Sequence, residues 1–199
     1  MVTAPTLAPQ VLNSIANQIA ERVPRSSELA APGAVAGIGE SLRVALLPED
    51  ELTGGKGALG DRVVETGQWH HQIYTGDDAR SFARSIEAPE APGEPSEVVE
   101  VADSVVAADL GRTIRWVDEN VPQEGEAEVL MVPSHFTVGL WLHGPELDAV
   151  VVSSAPPEME LPRNRLIESG RFIEMLAARP AIEGLGARDG SAAPLGEGA

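Results

Sequence analysis

The four histidines are the side chains of this chain that are best suited to proton transfer or metal binding near neutral pH. They are His70, His71, His135 and His143, and all four fall in segments whose composition predicts β-strands. Successive side chains of a strand point to opposite faces, so His70 and His71 cannot bind one metal ion. His135 and His143 would lie about 26 Å apart along one strand, which is too far for a zinc site. We therefore predict no metal centre and no cofactor.

Two of the histidines can instead form a binding surface together with aromatic rings. Strand alternation places His70 and Tyr74 on one face of their segment, and Trp141 and His143 on one face of another. If both strands join one sheet, these four side chains share a face, which is typical of a small-molecule or peptide pocket. We take them as candidate ligand-binding residues. Under the alternative, helices cover the sheet and the four are structural side chains with satisfied hydrogen bonds.

No catalytic motif accompanies the histidines. Ser134 precedes His135, but a nucleophile and its base meet through folding rather than adjacency, and no Gly-x-Ser-x-Gly surrounds this pair. The glycine-rich segment 54–60 lacks the Gly-Lys-Ser/Thr ending of a phosphate loop. The chain has no cysteine, which excludes disulfides, thiolate metal sites and cysteine nucleophiles. An enzyme would therefore have to use His70, His135 or His143 as a general base.

The charge balance restricts the partners. The chain carries 31 Asp and Glu residues against 14 Lys and Arg, a formal net charge of −17. Binding to nucleic acid or to an anionic membrane needs clustered basic side chains, so the sequence argues against both. A protein with a basic surface is a better match. The start of the chain lacks the pattern of a signal peptide, and no apolar run reaches the roughly 20 residues of a spanning helix. We therefore expect a cytoplasmic protein.

The first segment of the chain predicts an amphipathic helix. Leu12, Ile15, Ile19 and Val23 follow one another at spacings of three and four residues, which places them in one apolar stripe. This stripe either docks on the body of the same chain or is offered to a partner. We take these four side chains as candidate partner-binding residues.

The rest of the chain predicts strands and helices in grouped runs. Residues 42–47 read as a strand, and residues 61–87 and 127–154 contain β-hairpins. A long helix follows Ser96 as its N-cap, and a shorter helix lies within 163–179, near Ser169. The predicted fold is α+β: an antiparallel sheet built from two β-hairpins plus an extra strand, packed by a long central helix and a C-terminal helix, with the N-terminal amphipathic helix.

Composition divides the chain into an ordered body and connecting segments. Small residues, prolines and acidic residues mark the connections, among them residues 48–60, which predict a mobile loop. The predicted divisions are a helix at 1–24, a linker at 25–41, a single α+β domain at 42–178 with an acidic proline-rich loop at 87–97, and a disordered tail at 179–199.

Three functions from different classes follow from these features. The first is a non-catalytic protein-interaction domain, an adaptor or accessory subunit of a larger cytoplasmic assembly, for which a homo-oligomer also stays open. The second is a small-ligand-binding or sensory domain that uses the His/Trp/Tyr face of the sheet. The third is an enzyme of unrecognised type with a histidine general base. Whether that face is open distinguishes the second function from the first.

Overall fold

The computed structural model describes residues 2–23, 36–55, 57–75 and 78–182. Most of the predicted linker and most of the predicted tail lie outside these residues. The helices of the described part are α1 (Pro9–Arg22), α2 (Glu49–Gly54), α3 (Val105–Asn120) and α4 (Ser169–Ala177). The strands are β1 (Val2–Thr3), β2 (Ala36–Leu46), β3 (Val64–Thr75), β4 (Asp78–Ala88), β5 (Ala91–Asp103), β6 (Gly125–Val132), β7 (Thr137–Gly144), β8 (Leu147–Ser154) and β9 (Ile167–Glu168).

The nine described strands form one sheet. Their order is β5-β4-β3-β2-β6-β7-β8-β9, and β1 pairs with β6. All neighbouring pairs are antiparallel except β2 with β6 and β1 with β6, which are parallel. The predicted α+β class with a mostly antiparallel sheet is confirmed. The predicted sheet of two hairpins and one extra strand has fewer strands than the nine that the structure describes. None of the described helices is both long enough and apolar enough to cross a membrane.

The segment predicted as a proline-rich loop at 87–97 lies largely in strands. Residue 87 belongs to β4, and β5 runs from Ala91 to Asp103. The position of β5 at the sheet edge explains the difference, because one side of an edge strand has no partner and a proline there removes no ladder hydrogen bond. The loop prediction was therefore wrong for most of this segment.

The long helix begins eight residues later than the sequence predicted. Its N-cap is Ser104, whose hydroxyl accepts a hydrogen bond from the backbone N–H of Val106 at 3.1 Å. Ser96 was the wrong N-cap because the valines after it, including buried Val98, extend β5. A second segment, predicted as the loop 48–60, contains helix α2, whose Leu52 is buried.

The sheet curves around α3. Gly111 lies so close to β4 that a Cβ atom on it would be 2.6 Å from the Cβ of Ala79. Asp109, about 3 Å away along the helix axis, forms an ion pair at 3.5 Å with Arg163, which bridges to β8. Four strands separate β4 from β8 in the sheet. Two nearby positions of α3, Asp109 and Gly111, are therefore connected to β8 and to β4. The sheet must curve to allow this, and its concave face encloses α3.

The convex face carries the other helices. Ile15 and Ile19 of α1 are buried against Ile73 and Val98, at the β5 end of the sheet. Gln18 of α1 also bonds the edge strand, since its amide donates to the Ser96 carbonyl and accepts from the Val98 N–H, both at 2.9 Å. Helices α2 and α4 pack on the other half, with β6 and β8. Between these two covers, side chains of the central strands reach the surface.

Candidate functional site

The four predicted ligand-binding residues lie on opposite faces of the sheet. Leu42, the cross-strand partner of His70, packs beneath α3, so His70 is on the concave face. Trp141 packs with Phe172 of α4, and Trp141 and His143 are therefore on the convex face. Strands β2 and β6 also separate the two pairs. The expectation that the four share one face was wrong.

His70 and Tyr74 are held by neighbours on the concave side. The His70 imidazole stacks on Phe82, with 5.3 Å between ring centroids, and its Nε2 lies 3.2 Å from Oε1 of Gln72. Burial lowers the pKa of His70 to about 4, so this ring is neutral at pH 7. The Tyr74 hydroxyl donates to Glu40 at 2.9 Å, and burial raises the pKa of Tyr74. Both side chains have the satisfied hydrogen bonds of structural residues.

His71 forms a hydroxyl–imidazole–hydroxyl chain inside the protein. Its Nδ1 lies 2.8 Å from the hydroxyl of Ser41, and its Nε2 lies 2.7 Å from that of Ser85. A serine beside an imidazole is the arrangement of an activated nucleophile. Here all three side chains are buried, and burial lowers the pKa of His71 to about 4. A substrate has no access to them, so these three hydrogen-bonded side chains are structural.

His135 lies in a short 3-10 turn, Pro133–His135, rather than in the predicted strand. Its Nδ1 is 2.8 Å from the Ser134 hydroxyl, and its Nε2 is 3.4 Å from the backbone carbonyl of Arg179. The ring is buried. These contacts attach the turn to the end of α4, and they leave no open surface at the imidazole for a substrate.

His143 is the histidine with a half-exposed ring. It packs on Trp141 with 4.2 Å between centroids, and its Nε2 lies 3.4 Å from Oε1 of Glu128. Glu128 raises the pKa of His143. Asp148 fixes the neighbouring ring, since it accepts hydrogen bonds from Nε1 of Trp141 at 2.9 Å and from the hydroxyl of Ser169 at 2.6 Å. The raised pKa favours a proton on this partly exposed ring, whose Nε2 atom is itself buried.

A row of large side chains crosses the convex face. Trp69 pairs with Arg43 across β3 and β2, and Glu128 pairs with Trp141 across β6 and β7. The β2–β6 register, in which Val44 faces Val129, places Arg43 beside Glu128. We call Trp69, Arg43, Glu128 and Trp141 the tryptophan row. It sets an arginine and a glutamate next to each other between two indole rings.

A cleft of about 310 Å³ opens beside this row, and we call it the Arg43 cleft. Its walls are Arg43, Val44, Glu65, Thr66, Gly67, Gln68, Glu87, Pro92, Gly93 and Glu128.

The Arg43 side chain has a fixed aromatic neighbour and a buried donor without a partner. Its guanidinium carbon lies 5.6 Å from the Trp69 ring centroid, a cation–π distance. Nε1 of Trp69 donates to Glu87 at 2.9 Å, and the backbone N–H of Gly93 donates to the other oxygen of Glu87 at 2.8 Å. Gly93 has φ +87°, a conformation that glycine adopts without strain. Nε of Arg43 is buried and forms no hydrogen bond within the described residues.

An apolar groove of about 390 Å³ lies at the start of α3. We call it the Phe136 groove; it is lined by Val106, Met131, Val132, Pro133, Phe136, Thr137 and Val138. Val106 and Phe136 are 40% and 37% exposed, whereas the 78% exposed Val105 lines a separate depression with Arg80 and Arg112. Alternation had predicted Phe136 in a strand, but it has φ +45° at the end of the 3-10 turn. The two valines directly after a serine N-cap are the sequence signal that could have indicated this surface.

The predicted partner-binding stripe of α1 is mostly covered by the protein itself. Ile15 and Ile19 are buried, while Leu12 and Val23 are half-buried. In this structure the helix docks on its own sheet, which was the alternative left open by the sequence.

The described residues contain no group of three His, Asp or Glu side chains placed to hold a metal ion. We take the Arg43 cleft and the Phe136 groove as the candidate sites. Comparisons of this chain with protein-family models, with curated proteins and with solved structures found no match.

Proposed function

We propose that this protein is a non-catalytic interaction domain, an adaptor or accessory subunit of a cytoplasmic assembly, that docks a partner protein in the Phe136 groove. The observation that supports it is the exposure of Val106 and Phe136 in the walls of one apolar depression. Adjacent apolar side chains on a protein surface mark sites of protein association. The centre of such an interface is typically apolar and poor in charge, as this groove is.

The backbone at Phe136 adds to this support. A bulky residue at φ +45° is strained, at a cost of the order of 1–3 kcal/mol. The contacts of His135 with Ser134 and with the Arg179 carbonyl hold the turn in this shape. Strain of this kind is concentrated at functional sites, and here it keeps an aromatic ring at the surface.

Net charge favours a partner with a basic surface. The chain has a formal charge of −17, but the groove itself has no charged residue in its walls. The acidic exterior would accelerate the encounter with a basic protein, and the apolar groove would supply the contact. Association should therefore slow as salt is added, while the dissociation rate changes less.

A matched pair of substitutions tests the groove. Val106→Asp introduces charge at the second residue of α3, where the helix dipole favours an acidic side chain and the fold is retained. Val99→Asp is the control, because Val99 is 45% exposed on β5 and lies outside the groove. The full chain with each change is tagged in its native cell, and co-purifying proteins are quantified by mass spectrometry. We expect a specific partner that is retained by Val99→Asp and lost from Val106→Asp.

Two results would contradict the docking proposal: the same proteins with both variants, or no specific protein with the unchanged chain. Sedimentation of the purified chain identifies the case in which the partner is a second copy. In that case the unchanged chain and Val99→Asp are oligomeric, whereas Val106→Asp is a monomer.

A small-ligand-binding function is the second candidate, and one observation favours it. The Arg43 cleft presents a positioned guanidinium, and its volume is within the range of small-molecule pockets. A ligand that binds only the folded state raises the melting temperature. A metabolite panel containing cations, anions and zwitterions should therefore include at least one compound that stabilises the protein. If no compound of any class does so, this function is wrong.

A further inference from the structure

We infer that the Arg43 cleft binds a small zwitterion, a molecule with a carboxylate and an amine such as a free amino acid. This inference rests on the small-ligand-binding function proposed for the same cleft. The volume of about 310 Å³ admits a molecule of this size and excludes a folded partner. Three features of the walls define the chemistry of the ligand: a fixed cation, an aromatic platform and surplus carboxylates.

The fixed cation selects a carboxylate. The Trp69 ring supports the guanidinium of Arg43 at 5.6 Å, and Trp69 is itself fixed by its hydrogen bond to Glu87. A planar guanidinium held in this way matches the two oxygens of a carboxylate. Since little side-chain freedom is left to lose, binding costs less conformational entropy than at a mobile surface arginine.

The buried Nε atom of Arg43 indicates that the guanidinium is incompletely compensated within the protein. A buried donor without a partner costs free energy, more so on a charged group. Arg43 lines the cleft, so a ligand carboxylate placed there would meet its guanidinium and offset part of the charge. A carboxylate ligand would thus stabilise the site as it binds.

The carboxylates of the cleft select an amine. Glu65, Glu87 and Glu128 share the walls with the single arginine. Glu87 is occupied by Trp69 and Gly93, and Glu128 pairs with His143 at 3.4 Å, which leaves the exposed Glu65 to face a ligand. The carboxylates of the walls repel a phosphate or dicarboxylate and attract an ammonium group. One cation and a surplus of anions in one small cleft therefore match a molecule that carries both charges.

The experiment measures binding to the full chain by thermal shift and by titration calorimetry. The probes are the standard free amino acids, each tested singly, with acetate and propionate as carboxylates without an amine, and ethylamine and putrescine as amines without a carboxylate. We expect at least one amino acid to raise the melting temperature. The probes that carry only a carboxylate or only amines should leave it unchanged.

Two variants locate the binding in the cleft. Arg43→Gln should weaken the amino-acid affinity about ten- to a hundredfold, the loss expected for hydrogen bonds to a charged group. Arg84→Gln is the matched control, because Arg84 also lies over an aromatic ring, Phe82 at 5.9 Å, but on the concave face. It should leave the affinity unchanged. Glu65→Gln, at an exposed position that the fold tolerates, should weaken binding about two- to fivefold.

The outcomes separate this inference from the function on which it rests. If acetate or putrescine binds as well as any amino acid, the zwitterion is wrong and the ligand-binding function stands. If amino acids bind equally to the unchanged chain and to both cleft variants, the assignment to this cleft is wrong. If no probe and no metabolite of any class binds, both proposals fail together.

Discussion

Two imidazoles of this protein lie against aromatic rings, one on each face of the sheet, and their surroundings give them opposite properties. His70 on Phe82 is enclosed beneath α3, where burial lowers the pKa of the imidazole to about 4. His143 on Trp141 lies at the convex surface, where Glu128 raises the pKa of the imidazole. The same residue type beside an aromatic ring is thus a neutral core group on one face and a partly exposed group with a raised pKa on the other. Packing against helices, rather than residue type, makes the difference.

The difference also bears on the position of the Arg43 cleft. On the concave face, α3 fills the curve of the sheet, so polar groups such as Gln72 make their hydrogen bonds inside the protein. On the convex face, α1 and α4 cover separate halves of the sheet. Trp69, Glu128 and Trp141 of the tryptophan row are buried, and Arg43 lines the cleft beside the row.

The largest expected effect is a loss of stability on acidification, caused by the enclosed histidines. The unfolded chain protonates His70 and His71 below pH 6.5, whereas the folded chain does so only near pH 4. The free energy of unfolding therefore falls as the pH falls through this window, by up to about 3 kcal/mol for each histidine. Urea unfolding at a series of pH values measures it.

The variant His71→Gln isolates one of these groups. It carries no titratable ring at that position, so its stability should depend less steeply on pH between 6.5 and about 4. A slope as steep as that of the unchanged chain would show that His71 does not titrate with the expected shift.

A pair of glycine substitutions sharpens the contrast between the two faces. Gly111→Val places a side chain where a Cβ atom would be 2.6 Å from Ala79, and we expect a loss of about 1–3 kcal/mol from overpacking under the concave face. Gly60→Ala on the convex side would bring its Cβ to an ordinary 3.4 Å from the ring of Trp141. Thermal unfolding should show a change within about 0.5 kcal/mol for Gly60→Ala. Equal losses would mean that α3 is not packed as tightly as described.

The smallest expected effect concerns carboxylates within the convex face. Asp148→Asn weakens the bonds that fix Trp141 and Ser169, and should cost about 1 kcal/mol. Glu174→Gln removes an ion pair with Arg171 whose side chains are both well exposed, and the change should be close to zero. The denaturant midpoints of the two variants measure these losses of stability. A larger loss for Glu174→Gln than for Asp148→Asn would contradict the prediction.

Local patterns in the sequence predicted much of this fold, because alternation and helical spacing are local properties. His70 and His71 do lie on opposite faces, and helix α4 lies within the predicted 163–179, although its N-cap is Glu168 rather than Ser169. Patterns were ambiguous where two structures share a signature. Ser96 and Ser104 both precede a pair of valines, and only tertiary packing assigns the first to an edge strand and the second to a helix N-cap.

The relation between distant strands had no sequence signal. Strand β2 pairs with both β3 and β6, which inserts two strands between the one that carries His70 and the one that carries His143. Alternation along a strand shows which of its side chains share a face, but it does not show how the faces of two separate strands correspond. The sequence pattern therefore could not test whether His70, Tyr74, Trp141 and His143 share one face of the sheet. The tryptophan row arises in the same way, from two pairs of consecutive strands, β2–β3 and β6–β7, that are far apart in the chain.

The contrast between His70 beneath α3 and His143 on the opposite face is tested most directly by an NMR titration of the imidazole signals in the unchanged chain. We predict that His143 titrates above pH 6.5 and that His70 stays neutral until about pH 4. If His70 titrates at the ordinary value of 6.5, or His143 titrates below it, the description of these two surroundings is wrong.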